Sequence, residues 1–320
     1  MFRRTFSSLA LRRVFITPRS LPQRQSILRP LSVDALEQSR KPLSRKAVDS
    51  YLTSNVLDLL SLKGRTVVIT GAGRGIGLAL AFAVAEAGGK VAIVDAADAP
   101  HEHYAKLQDI CEEVRYYKSD VTDYERLEAT FADIAKDFGR IDGIVTAAGI
   151  CPDEPFLERK PQSVKRTFEI NSLGTYYSAQ LAARQMLKQP KLTPTSNAGS
   201  IVFIASIAAH TASLGQYTSD YCSSKGAVLS LSRQLSVELA RPGIRVNCIS
   251  PGYIVTDMVL DIADSRPRLS DIFVSEPPMK RMGDRTELKG AAVYLLSQAS
   301  SYMTGGELLI TGGMHAGRTE

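Results

Sequence analysis

From residue 65 the chain alternates short apolar runs, rich in β-branched side chains, with longer stretches of helical period. TVVIT (66–70), VAIVD (91–95), VRYYKSD (114–120), GIVTAAG (143–149), SIVFIAS (200–206), RVNCIS (245–250) and LLIT (308–311) read as strands, each ending in small or polar residues. Helical patterns lie between them at about 75–88, 122–138, 162–189, 217–241 and 284–297. Continuous apolar strands alternating with helices predict a parallel sheet covered on both faces, an α/β fold. Seven strands in about 255 residues fit one doubly wound Rossmann domain over 56–320, with no second domain. The irregular stretch 253–283, which contains Pro267, Pro277 and Pro278, follows the sixth strand on the ligand-binding edge and is expected to be a substrate lid, the alternative being an ordinary surface insertion.

Residues 1–55 do not share this pattern. The first fifty residues carry eleven Lys or Arg against Asp34, Glu37 and Asp49, a net charge of +8, and there is no acid before Asp34. Because the whole chain carries +6, the remainder carries −2, so the basic character belongs to the leader and no nucleic-acid footprint is expected on the body. An Arg- and Ser-rich, acid-poor leader has the composition of a mitochondrial transit peptide; the alternative is a plain extension on a cytoplasmic protein. No apolar run approaches the length of a membrane span. Four scattered cysteines, Cys111, Cys151, Cys222 and Cys248, form no C-x-x-C or disulfide pattern. His101 and His103 lack a cysteine or carboxylate cluster at ligand spacing, so no metal site is expected.

The candidate chemistry starts where the first strand runs into TGAGRGIG (70–77). Gly71 permits a tight turn, Gly75 lets the backbone approach a pyrophosphate, Gly77 lets the helix pack against the sheet, and the helix N-terminus faces the anion. In this strand-turn-helix setting the triplet predicts a dinucleotide site. Asp95 closes the second strand, where a carboxylate can accept from the ribose hydroxyls and repel a 2′-phosphate, which favours NAD. Arg74 favours NADP, since a guanidinium there could pair with that phosphate.

A second signal is YCSSK (221–225). In a helix, residues four apart share a face, so the Lys225 ammonium favours the phenolate of Tyr221. At ~6 Å and an effective dielectric of ~20 the attraction is about 3 kcal/mol, or roughly two pKa units from ~10. The pair alone stops short of neutrality, and an oxidised nicotinamide ring could supply further positive charge.

TGAGRGIG, AAG (147–149), NSLG (171–174), Ser206, YCSSK and PGYIVT (251–256) together resemble the short-chain dehydrogenase/reductases over about residues 60–315. The glycine spacing is similar to the subgroup of ketoacyl reductases and fungal polyol dehydrogenases. The resemblance implies Ser206, Tyr221 and Lys225 as catalytic residues. It also implies Asn171 as holder of a water connected to the lysine. Lys225 would bind the nicotinamide ribose, Asp120 and Val121 would border the adenine, and Ile254 and Thr256 the carboxamide. Ile76, Ala148, Gly149, Pro251 and Gly252 complete the implied cofactor surface. The NNAG usual in the family after the fourth strand is replaced by an alanine-rich stretch ending in Ala147, Ala148 and Gly149, and TGG (311–313) lacks its usual preceding aspartate.

The expected function is therefore NAD(P)-dependent interconversion of a secondary alcohol and a ketone, on a polyol, ketose or related small hydroxylated substrate. The alternative is a ketoacyl-type or secondary-metabolite ketone reductase. A catalytically silent nucleotide-binding scaffold could dispense with Ser206, Tyr221 and Lys225, all of which are present. By the resemblance, a homodimer or homotetramer through the helices bearing Asn171 and Tyr221 is expected.

Overall fold

The computed structural model describes residues 52–193, 196–257, 259–260 and 266–317. The leader assignment for residues 1–55 thus lies almost wholly outside the described residues, as does part of the lid. Seven strands form one parallel sheet: β1 (Thr66–Thr70), β2 (Lys90–Asp95), β3 (Val114–Lys118), β4 (Gly143–Thr146), β5 (Gly199–Ile204), β6 (Ile244–Pro251) and β7 (Glu307–Ile310). Their order is β3-β2-β1-β4-β5-β6-β7. This is the single Rossmann-like domain that the alternating pattern implies.

Among the described residues the helices are α1 (Val56–Leu60), α2 (Gly75–Glu86), α3 (Tyr104–Ile110), α4 (Tyr124–Phe138), α5 (Pro161–Phe168), α6 (Gly174–Lys188), α7 (Ser219–Glu238), α8 (Pro267–Ser275) and α9 (Lys289–Leu296). The inner strands β1, β4, β5 and β6 are buried on both faces because alternate side chains feed two cores. Val68, Ile144, Phe203 and Val246 pack with residues of α4, α6 and α7, whereas Val67, Ile69, Val145, Val202 and Ile249 pack with residues of α2 and α9. That explains the unbroken apolar runs in the sequence.

Three differences from the sequence pattern have physical reasons. Helix α3 has no counterpart in the pattern: it is seven residues long and only Leu107 is buried, too little for a visible period. The continuous helix expected over 162–189 is interrupted by a π turn at Glu169–Leu173, closed by the Gly174 N–H on the Glu169 carbonyl. One inserted residue leaves composition unchanged yet rotates all of α6 relative to α5. The strands expected to reach residues 120, 149 and 206 end at Lys118, Thr146 and Ile204, so the polar and small residues beyond them form loops on the carboxyl edge.

That edge sets the position of the site. The strand order reverses between β1 and β4, whose ends pair in register at Thr70 and Thr146. Loops leaving these strands on opposite sides open a crevice there.

Candidate active site

One cavity of about 720 Å³ lies at this switch point and collects the residues just beyond the strand ends. Its floor is the glycine turn after β1. Gly71 has φ +68, and a Cβ there would lie 2.5 Å from the Ala148 backbone. A Cβ on Gly77 would come within 2.2 Å of the Gly71 carbonyl oxygen, so only glycine lets α2 start so close to β1. At Gly75, φ is +63 and an added Cβ would meet nothing within 4 Å. Open space above the first residue of a helix N-terminus, lined by backbone, fits a pyrophosphate.

Asp95 ends β2 with both carboxylate oxygens engaged: Oδ2 accepts from the Gly73 N–H at 2.8 Å and Oδ1 from the Ala97 N–H at 3.0 Å. The two amides fix the carboxylate at the cavity wall, while Arg74 lies exposed at the N-cap of α2. Beyond β3, Asp120 accepts from the Thr122 N–H at 2.9 Å and pairs with Arg166 at 3.0 Å. Burial pushes the Asp120 carboxyl up, but the Thr122 and Arg166 interactions prevail and hold it below the usual carboxylate range. Val121, Ala148, Gly149, Ile76, Pro251, Gly252, Ile254 and Thr256 also line this cavity. Every implied cofactor-surface residue is therefore at one crevice.

The other end holds the polar constellation. Ser206 lies two residues past β5, where its Oγ accepts from the Ala208 N–H at 3.1 Å, and it lines the same end of the crevice as the Tyr221 phenol. Tyr221 and Lys225 occupy successive turns of α7, with Lys225 Nζ 5.8 Å from the centroid of the Tyr221 ring. Lys225 Nζ also donates to the Ile204 carbonyl at 2.8 Å. Asn171 does not line the crevice; it is fully buried in the π turn behind it. Its Oδ1 accepts from the Ile150 N–H at 2.9 Å, and its Nδ2 donates to the Ile150 carbonyl at 2.9 Å and to Ser224 Oγ at 3.0 Å.

The electrostatics differ from the sequence expectation. Burial raises the Tyr221 pKa above the ordinary tyrosine value, the neighbouring Cys151 adds to this, and the nearby Ser206 hydroxyl only partly offsets it. Lys225 is itself pushed down to about 8 by burial. The anticipated lowering of the phenol pKa by the lysine is thus outweighed, because desolvation acts on the whole ring while the ammonium directs a proton to the Ile204 carbonyl. Burial therefore favours the neutral phenol of Tyr221 in the unliganded protein.

Sequence reasoning missed Arg166, Arg159 and Cys151. Cys151, whose thiol burial pushes up to about 12, sits close enough to act on Tyr221. It lies two residues past the loop glycine, and nothing in its spacing marks it. Among the described residues no group of His, Cys, Asp or Glu could hold a metal ion, and no helix is long and apolar enough to cross a membrane.

A parallel Rossmann sheet, a glycine turn shaped for a pyrophosphate, and a serine, tyrosine and lysine meeting at the far end of the same crevice define an NAD(P)-dependent oxidoreductase of CH–OH groups. The family model described as "Enoyl-(Acyl carrier protein) reductase" matches residues 71–315. The chain belongs to the short-chain dehydrogenase/reductase family. It is 36% identical over 257 residues to the L-rhamnose 1-dehydrogenase (NAD(P)(+)) of Sphingomonas sp., covering 79% of this chain and 97% of the relative. It is 38% identical over 277 residues to a sorbose reductase of Candida albicans, covering 85% and 94%. The crystal structure of a short-chain type dehydrogenase/reductase from Mycobacterium marinum superimposes with a TM-score of 0.75 at 37% identity, covering 81% of this chain and 99% of that one.

Proposed function

We propose that the protein interconverts a secondary hydroxyl and a ketone on a polyol or ketose, with Tyr221 exchanging the proton. The observation that carries this reading is the meeting of Ser206, Tyr221 and Lys225 at the end of the dinucleotide crevice, with the Lys225 ammonium over the Tyr221 ring. The bound nicotinamide supplies the hydride acceptor in one direction and the hydride donor in the other.

In reduction, the phenol of Tyr221 gives its proton to the carbonyl oxygen as the adjacent carbon gains hydride, and Ser206 donates a hydrogen bond to the developing alkoxide. Burial keeps Tyr221 protonated for this step. In oxidation the phenolate must take the alcohol proton, and the positive charges of Lys225 and of an oxidised nicotinamide favour that form. Asn171 holds Ile150 and Ser224, and so supports the loop and the helix turn that carry these groups.

A small hydroxylated substrate is supported by the names of the two relatives and by Thr256 and Asp257, polar side chains that line the crevice. Asp95 favours NAD in this reading, with Arg74 as the opposing charge. The test is a screen of the full chain against polyols, ketoses, hydroxyacyl thioesters and cyclic ketones with both cofactors, read by nicotinamide absorbance. Turnover confined to thioesters would replace the substrate reading with the acyl one. We also propose mitochondrial import directed by the basic leader, which an uncleaved, cytoplasmic tagged protein would overturn. Self-association as a dimer or tetramer is checked by light scattering.

A further inference from the structure

Beside the catalytic tyrosine, but outside the crevice, an arginine and an aspartate form an ion pair that the proton and hydride chemistry does not use. Arg159 Nη1 lies 2.5 Å from Asp220 Oδ1, and the two side chains are only 2% and 1% exposed. Burying two charges is costly, and a structural role alone would be served as well by apolar side chains. The contacts of this pair give it a direction.

Asp220 immediately precedes Tyr221 in the first turn of α7. Its Oδ1 accepts from the Tyr221 backbone N–H at 2.7 Å, and its Oδ2 accepts from Thr167 Oγ1 at 2.7 Å, one residue before α5 gives way to the π turn that holds Asn171. Arg159 reaches the other way. Its Nη2 donates to the carbonyls of Pro152 at 3.2 Å, Glu154 at 2.8 Å and Tyr217 at 2.5 Å. Pro152 and Glu154 belong to the loop that leaves β4 past Gly149, and Tyr217 to the segment entering α7. The pair is not a set of saturated hydrogen bonds: Nε and Nη1 of Arg159 make no directed hydrogen bond, so the Nη1 contact with Asp220 is an ionic one. The guanidinium is therefore held by charge on one side and by three carbonyls on the other.

We propose that Arg159 is a positioning residue for Tyr221, acting through Asp220 on the backbone of the tyrosine, through the Pro152 and Glu154 carbonyls on the loop past Gly149, and through the Tyr217 carbonyl on the segment entering α7. One buried cation thereby sets both the direction of the phenol and the shape of the substrate wall. Arg159 touches neither substrate nor cofactor. A Lys at this position would keep the charge but lose the planar fork that spans the carbonyls and the carboxylate.

The inference rests on the proposed role of Tyr221, so the experiment has two readouts, one of them independent of turnover. The full-length variants Arg159→Lys and Arg159→Leu/Asp220→Leu are compared with wild type; the double variant removes both charges and so avoids leaving a lone buried one. In the steady state, kcat is expected to fall at least about tenfold in the double variant and by less in Arg159→Lys, with the substrate KM raised and the KM for NAD(P) unchanged. A folded double variant with kcat within twofold of wild type overturns the proposal. Hydrogen exchange is expected to accelerate at residues 150–156 and 217–221 and to stay unchanged at Gly73 and Ala97. Acceleration spread evenly over the sheet, or none at all, overturns it too, because the pair then serves stability rather than placement. If wild type turns over none of the alcohols or ketones, the functional reading fails and the exchange readout alone decides the placement.

Discussion

Lys225 Nζ sits 5.8 Å from the centroid of the Tyr221 ring and 2.8 Å from the carbonyl oxygen of Ile204, so the ammonium is shared between the phenol it serves and the strand end that holds it. The arrangement places a cation in a site where burial disfavours it, and the cost is measurable. Lys225 ionises at about 8 here against the ordinary 10.5. Between those two pH values the unfolded chain binds a proton that the folded chain does not, so stability rises with pH across this window and levels off above it. Below pH 8 the full penalty applies, on the order of 3 kcal/mol. Lys225→Met removes the titration. The difference in unfolding free energy, wild type minus variant, is expected to move in favour of wild type as pH rises from 8 to 10.5, read by urea denaturation at each pH. A flat difference would mean the ammonium is solvated.

Tyr221→Phe tests the proton exchange directly. The ring and its packing remain, while the hydroxyl that shares the crevice end with Ser206 disappears. Turnover is expected to drop by at least ~10²-fold, the usual range for loss of a positioned acid or base, with NAD(P) affinity retained. Fluorescence titration of reduced cofactor and steady-state kinetics read the two quantities separately. Full turnover in the variant would require another proton donor.

The proposed preference for NAD rests on two charges of opposite sign at one rim. Asp95 is fixed by the Gly73 and Ala97 amides. Arg74 is exposed, so solvent screens it and its influence is the smaller. Asp95→Ser is expected to raise the ratio of kcat/KM with NADP to that with NAD by about tenfold or more, since one like-charge repulsion is removed. Arg74→Ala moves the ratio the other way by a smaller factor. An unchanged ratio in both variants would place selectivity elsewhere.

The two glycines of the turn fail differently when substituted. Gly77→Ala forces a Cβ within 2.2 Å of a backbone oxygen, and the helix must move; the expected stability loss is about 2–4 kcal/mol. Gly75→Ala meets no atom, so its cost is the left-handed φ alone, about 1–2 kcal/mol. Its methyl instead occupies the space above the helix start. Cofactor affinity is thus expected to fall in Gly75→Ala with modest loss of stability, and stability to fall in Gly77→Ala. Thermal unfolding paired with cofactor titration separates them.

The parts of this molecule that can be read in the chain are those whose chemistry is tied to local spacing. Gly71, Gly75 and Gly77 are bound to one turn, Tyr221 and Lys225 to one helix face, and Asp95 and Ser206 to strand ends; the crevice gathers all of them. The sign of the net shift on Tyr221 is not legible there, because burial is a property of the assembled loops and exceeds the pairwise attraction. Arg159 and Arg266 are silent for a related reason. Arg266, the residue before α8, binds Asp153 at 2.5 Å across 113 residues of sequence, and it also donates to the Gly215 carbonyl at 3.0 Å. No period or motif encodes such a contact.

Asn171 shows how a small irregularity of backbone becomes a functional constraint. Its carboxamide is buried in the π turn and satisfies both backbone groups of Ile150, the first residue of the loop that walls the crevice, as well as Ser224, the neighbour of Lys225. Asn171→Ala leaves the Ile150 N–H and carbonyl without these partners, and a loss of about 2–4 kcal/mol is expected from the two stranded groups. Asn171→Asp keeps an acceptor for the Ile150 N–H but sets a carboxylate against the Ile150 carbonyl, so it cannot restore the pair. If the carboxamide mainly organises the loop, both variants will raise the substrate KM and lower kcat together, while the KM for NAD(P) stays near that of wild type. Denaturant unfolding and initial rates on the same preparations decide this: a destabilised Asn171→Ala protein whose folded fraction turns over at the wild-type rate would reduce the residue to a structural peg.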